Sequence, residues 1–231
     1  MAQNVYSLNI VGYANVQLDT GFHAYSNPFQ VGTNGANEVF PQPLSQWNDV
    51  QIQEWTGAGY NVSVFSDDTT IGTTGFVNVA GNTQKPVPIL SGGKGWLCSN
   101  PNASNNIVFV GTVRTGTNSI SVHGPQIQAF GSPIPYAGGI TSLGFTNTGG
   151  SLNDVQIQIL KTARTYPDHT TGGASAGYDV SVFSDDTTVG TTGFVNVAGN
   201  TAKPEPIIPI AGGFLMFNPN APFNWVQILN P

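Results

Sequence analysis

Two adjacent carboxylates occur twice in this chain, as Asp67-Asp68 and Asp185-Asp186, each inside the run Ser-Asp-Asp-Thr-Thr. Carboxylates beside threonine hydroxyls and backbone carbonyls are the oxygen donors that a hard cation takes. The four aspartates are therefore a candidate calcium site, and calcium is the one cofactor the sequence offers. Their spacing matches neither an EF-hand nor a repeat-type calcium loop. A turn whose Asp side chains cap local amides explains the same residues and is the preferred reading. Paired carboxylates also hydrolyse glycosides. Neighbouring Asp residues on a turn point apart, however, and a whole active site duplicated in one chain is uncommon.

The aromatic residues are a second set. Trp47, Trp55, Tyr60, Tyr166 and Tyr178, with Trp225, lie among Asn, Gln and Asp. A flat apolar ring beside hydrogen-bonding side chains is what a polysaccharide needs, so these residues are the candidate ligand-binding set. Packing in a core or an interface is the competing explanation. Trp47 has Leu152 as its counterpart in the repeat described below and Trp55 has no clear one, which argues against a duplicated sugar site.

Nucleophilic and metal chemistry find little support. Cys98 stands alone in Gly-Trp-Leu-Cys with no neighbouring base, and reads as a small buried hydrophobe. His23, His123 and His169 are far apart and form no zinc-type cluster. No nucleophile elbow, phosphate loop or dinucleotide fingerprint occurs. The chain is read as a protein that is not an enzyme.

Charge narrows the partners. Asp, Glu, Lys and Arg make up 8% of the 231 residues, against about 25% in an average soluble protein. Six Lys and Arg are scattered along a chain of net charge -6. No basic patch can neutralise several phosphates, which excludes nucleic acid as an expected partner. No run of about 20 apolar residues occurs, so membrane insertion is not expected either. The abundance of Gly, Asn, Thr and Ser in place of charge, and the start Met1-Ala2-Gln3-Asn4, point to a mature exported chain that works outside the cell or at its surface.

The elements that position these residues are repeated. Residues 59–83 and 177–201 differ at two of 25 positions, Asn61/Asp179 and Ile71/Val189, at an offset of 118. The offset continues through Lys85-Pro86 and Lys203-Pro204 to Asn100-Pro101 and Asn218-Pro219. Upstream it is 105, matching Asn48–Gln53 to Asn153–Gln158, so the second copy carries a 13-residue insertion within 159–176. Each copy reads as short alternating strands separated by turns, with no useful helical period. The expected fold is all-β: two tandem copies of a β-sandwich or barrel-like module. The divisions are an N-terminal strand segment over 1–17, a first module over 18–117 and a second over 118–231. Tyr6, Leu8 and Ile10 share one face of the N-terminal segment and are candidates for assembly, as a strand exchanged with a neighbouring chain.

The opening Asn4-Val5-Tyr6-Ser7-Leu8-Asn9-Ile10-Val11-Gly12-Tyr13 resembles the mature start of exported tandem-repeat β proteins of unknown function from verrucomicrobial and planctomycete-type bacteria. So do the openings Gly21-Phe22 to Asn27-Pro28 and Gln126 to Pro133, and the closings Gly92-Gly93-Lys94-Gly95-Trp96 to Asn100-Pro101 and Gly212-Gly213-Phe214 to Asn218-Pro219. The middle run SDDTT(I/V)GTTGFVNVAGNT departs from that group's pattern. The resemblance implies export and a β module and supplies no catalytic residues.

Two functions follow as expectations. The first is an extracellular structural, self-assembling subunit of a fibre, sheath or surface layer, whose partner is a further copy of itself. Low charge and open sheet edges favour it. The second is a secreted carbohydrate-binding or adhesive module, in which two copies would add avidity.

Overall fold

The computed structural model describes residues 10–40, 44–67, 75–81, 83–146, 149–161, 177–185, 193–198 and 201–230. The described chain is all-β, arranged in several sheets with no closed barrel. Helical structure is limited to α1 (Ala36–Val39) and a single 3-10 turn at Leu44–Trp47.

Strand formation follows the alternation in the sequence. In β4 (Gln51–Trp55) the buried Ile52 is flanked by half-buried glutamines; in β12 (Gln156–Lys161) Ile157 and Ile159 are buried between Gln156, Gln158 and Leu160. The antiparallel neighbours are β2 (Gly21–Ser26), β5 (Tyr60–Ser66), β6 (Gly75–Val77) and β7 (Gly95–Asn100). They form a five-stranded sheet ordered β2-β7-β4-β5-β6. A second five-stranded sheet joins β10 (Gln126–Gly131), β12, β13 (Gly177–Ser184), β14 (Gly193–Val195) and β16 (Gly213–Asn218) in the order β10-β16-β12-β13-β14. The strands correspond one to one through the sequence repeat, and their registers match: Ile52 pairs with Cys98 as Ile157 pairs with Met216.

Smaller sheets cover the inner faces. β1 (Val11–Leu18), β8 (Asn105–Val113) and β3 (Phe29–Gln30) form a sheet ordered β1-β8-β3; β9 (Gly116–Val122) pairs with β17 (Phe223–Leu229), and β11 (Gly138–Gly139) with β15 (Ile207–Ile208). Ala14, Leu18, Ile107 and Phe109 of the first small sheet share one core with Ile52, Phe65, Trp96 and Cys98. Val122, Phe223 and Trp225 share a second core with Phe130, Ile157, Phe214 and Met216. Cys98 and Met216 thus fill equivalent, fully buried positions.

Most of the N-terminal strand, Val11–Leu18, falls within the 1–17 segment that the sequence offers for exchange with a neighbouring chain. It pairs along its length with β8 of the same chain, from Val11↔Thr112 to Leu18↔Asn105, and Ala14 and Leu18 are core residues. β9 takes the same place against β17, from Val122↔Phe223 to Gly116↔Leu229. The hydrophobic stripe of a 15-residue opening is equally satisfied within the chain or by a neighbour, and only the tertiary register decides. Ile10 precedes β1, and its carbonyl accepts the Val113 N–H at 2.7 Å. Tyr6 and Leu8 lie outside the described residues.

The five-stranded sheets are buried on both faces. Trp96, Leu97 and Cys98 are successive buried residues of β7, as are Phe214, Leu215 and Met216 of β16. A strand with alternating faces can bury three in a row only if both faces are covered. The outer faces, with Ala24, Val64, Leu97, Val182 and Leu215, lie against each other, as the approach of β10 and β16 to β2 and β7 requires. The join is locally symmetric. Tyr25 bridges Gly212 and Phe130 bridges Lys94, equivalent pairs of the repeat. The Ser26 N–H donates to the Ala211 carbonyl at 2.8 Å, and the Gly131 N–H to the Gly93 carbonyl at 3.2 Å.

Backbone meets backbone at this join. A Cβ on Gly95 would collide with the Phe130 main chain, and one on Gly213 with the Tyr25 main chain. Backbone atoms cannot turn away as a flexible side chain can. Gly95→Ala and Gly213→Ala are therefore each expected to destabilise the protein by about 1–3 kcal/mol, read by urea denaturation. Gly59, whose Cβ would meet nothing within 4 Å, is the control; Gly59→Ala is expected to stay within about 0.5 kcal/mol.

Candidate functional site

Asp67 and Asp185 lie at the ends of β5 and β13, and both are exposed. Each is held by its backbone. The Asp67 N–H donates to Asn48 Oδ1 at 3.1 Å and the Asp185 N–H to Asn153 Oδ1 at 3.3 Å. The following residues, Asp49 and Asp154, have φ of 62°, a left-handed conformation that short polar side chains tolerate. The caps at both places are the Asn48 and Asn153 side chains, which accept from the Asp main chain. Asp68 and Asp186 lie outside the described residues. Among the described residues, no three of His, Cys, Asp and Glu come together as a metal-holding group.

The aromatic candidates separate. Trp47 is buried in the first core, edge-on to Phe40 at 5.4 Å, and Trp225 is fully buried in the second, its Nε1 donating to the Leu143 carbonyl at 2.8 Å. Neither ring is open to a ligand, so Trp47 is corrected from candidate platform to core residue. A single sequence could not distinguish them, because an indole beside polar residues reads the same when its ring points inward. Tyr166 lies outside the described residues.

Trp55 and Tyr60 stay together at the surface. They are a register pair of β4 and β5 with ring centroids 4.9 Å apart, edge to face. Trp55 Nε1 donates to the Ile127 carbonyl of β10 at 2.5 Å, across the join between the two large sheets. Tyr60 shares a side-chain hydrogen bond with Tyr178, its repeat counterpart. Partial burial, and then the neighbouring Tyr178, push the Tyr60 phenol up to about 12. Leu160 occupies the strand position equivalent to Trp55, since Leu160 pairs with Tyr178 as Trp55 pairs with Tyr60.

Trp55 forms one wall of a cleft of about 390 Å³ between the two halves of the chain, within the size range of small-molecule sites. The opposite wall is the turn from β9 into β10 and the first half of β10, carrying His123, Gln126 and Gln128; Ile120 and Phe130 supply its apolar lining. Lys94 lines it with Nζ 2.5 Å from Glu54 Oε1, so this cation is neutralised by a carboxylate. Sequence reasoning found Trp55 but not His123, Gln126 or Gln128, which reach the site only through the packing of one half on the other.

A smaller groove of about 300 Å³ lies beside Lys203 and Glu205. Lys203 is tied to Asp179 at 2.6 Å and to the Val180 carbonyl at 2.9 Å, and Glu205 accepts from the Thr141 N–H and hydroxyl. Its charged groups are engaged in holding the strands. Cys98 is fully buried, and that burial pushes its thiol far above the ordinary range, which fits a packing role.

The tyrosine pair has a pH signature. Tyr60 in the unfolded chain ionises near the ordinary value of 10, while in the folded protein it holds its proton to about 12. The unfolded state therefore binds fewer protons in that window. The stabilisation is complete below pH 10 and is lost as pH rises through 12. Tyr60→Phe is expected to flatten the fall in stability over that window, measured by urea denaturation at successive pH values, and to lose part of the stability at pH 7 with the Tyr178 hydrogen bond.

Neither a family model, a curated protein nor a solved structure matches the chain, so the functional reading rests on the geometry.

Proposed function

We propose that the protein is an extracellular structural subunit, built as two tandem β-sandwich modules, that assembles with further copies of itself. One observation carries this reading: a sheet face whose β1 and β8 residues are uncharged and half apolar, and over which none of the described residues packs. On the outer side of β1 and β8, Tyr13 is 75% exposed directly opposite Val110, which is 50% exposed; Val11 and Val108 extend the patch. The remaining β1 and β8 residues of this face, Asn15, Gln17, Asn106 and Thr112, carry no charge, and at the β3 edge Gln30, opposite Thr112, accepts from the Arg114 guanidinium at 2.6 Å. Contiguous exposed apolar surface of this kind marks interaction sites.

A second copy of the same chain is the occupant the chemistry favours. Two such faces can be desolvated against each other without burying an unpaired charge, and a two-fold contact uses the same patch on both partners. The equivalent face of β9 and β17 presents Thr117, Ser119, Ser121 and Asn224 beside Val226 and Ile228. The apolar patch therefore belongs to one half, which gives each chain one sticky and one more polar end. The low charge of the chain supports the reading by weakening repulsion between subunits.

The double substitution Tyr13→Lys with Val110→Lys places two like charges opposite each other at the centre of this face. Light scattering and negative-stain microscopy across protein concentration are expected to show discrete two-fold dimers for the native chain and monomers for the variant. A native chain that stays monomeric at every concentration overturns the reading.

A further inference from the structure

The cleft beside Trp55 is asymmetric where the fold around it is symmetric. The pseudo-symmetric positions in the other half carry Leu160 for Trp55, Gly212 for Lys94, Gly21 for Gln126 and His23 for Gln128. The same strands and the same join form with those residues. Packing of the repeat therefore does not require an indole, a carboxamide pair and an ion pair at this place, and their presence on one side only calls for another explanation.

The polar groups are also arranged rather than scattered. Gln126 and Gln128 are two apart on β10 and share a face. Gln128 Oε1 accepts the His123 N–H at 2.7 Å, which fixes the carboxamide and leaves its NH₂ donors turned to other partners. The Gln126 carboxamide and the His123 ring have no hydrogen-bond partner among the described residues, and both line the cleft. The Trp55 ring is held by its own N–H at Ile127 and by Tyr60 behind it. Glu54 and Lys94 pair with each other, so among the described lining residues no Lys, Arg, Asp or Glu is left unpaired for an anion or a cation to seek.

We infer that this cleft is a binding site for a neutral saccharide, stacked on Trp55 and hydrogen-bonded by His123, Gln126 and Gln128. Each sugar hydroxyl is both donor and acceptor, as a carboxamide is, and the apolar face of a pyranose matches an indole. Among the described residues the site occurs once, and it is independent of self-assembly through the β1–β8 face. A monomer that binds sugar and an assembling protein that does not are distinguishable results.

The test uses the full chain with cellobiose, maltose, lactose and chitobiose as probes, followed by tryptophan fluorescence and calorimetry. Trp47, Trp96 and Trp225 are buried, so an emission change on titration reports Trp55. A saturable response to at least one of these disaccharides is expected. Trp55→Leu, which installs the residue of the other half, and Gln126→Ala should each weaken it by about tenfold. Should loss of the indole bond to Ile127 unfold the first variant, Gln126→Ala and His123→Ala at the cleft wall decide. No saturable response at millimolar sugar, binding unchanged in folded cleft variants, or a response confined to an acidic probe such as a galacturonate dimer would each overturn the inference.

Discussion

The close crossing of two sheets at four small residues is the constraint on which the rest of the structure depends. Ser26, Gly95, Gly131 and Gly213 meet where β2 and β10 pass the starts of β16 and β7. Main-chain hydrogen bonds such as Ser26 N–H to Ala211 form only at backbone contact distance. That distance leaves room for one side chain at the centre. Ser26 occupies it, its Oγ donating to the Gly212 carbonyl at 3.0 Å, and a Cβ on Gly131 would overlap it. The two halves thus lock at one point, and the outer faces of both large sheets are carried into contact from there.

Both candidate sites are consequences of that join. With the two large sheets committed to each other, the small sheets are pushed to the outside, where none of the described residues packs over the far face of β1 and β8. The crossing also leaves wedges on either side of the local symmetry axis. One wedge is walled by Trp55 and the β9–β10 turn. Leu160 and Gly21 occupy the corresponding positions in the other half. A repeated scaffold keeps its glycines and core positions while the wedges diverge, because the join constrains the former and not the latter.

The hydrogen-bonding residues that abound in the sequence do mainly local work. Asn48 and Asn153 cap the turns that carry Asp67 and Asp185, Asn100 and Asn218 hold the loops after β7 and β16, and Gln51–Gln53 and Gln156–Gln158 bond along their strands. Uncharged amides can be buried between sheets with their partners at far lower desolvation cost than carboxylates or ammonium groups. This is a physical reason for a chain with 8% charged residues to be rich in Asn and Gln.

The sequence by itself determined the all-β character, since period-two runs such as Asp49–Glu54 and Tyr60–Phe65 are local properties of the chain. It also determined the repeat and the burial of Cys98 at the place of Met216. Local pattern could not say which ring of several points outward. Trp47, on the 3-10 turn before β4, fills a core, whereas Trp55, the last residue of β4, walls a cleft beside β10. Nor could it say where Val11–Leu18 pairs, since a strand edge is satisfied by any partner of matching register. The grouping of Trp55 with His123, Gln126 and Gln128, about 70 residues apart in sequence, was decided by tertiary structure alone, because it depends on how one half of the chain stacks on the other.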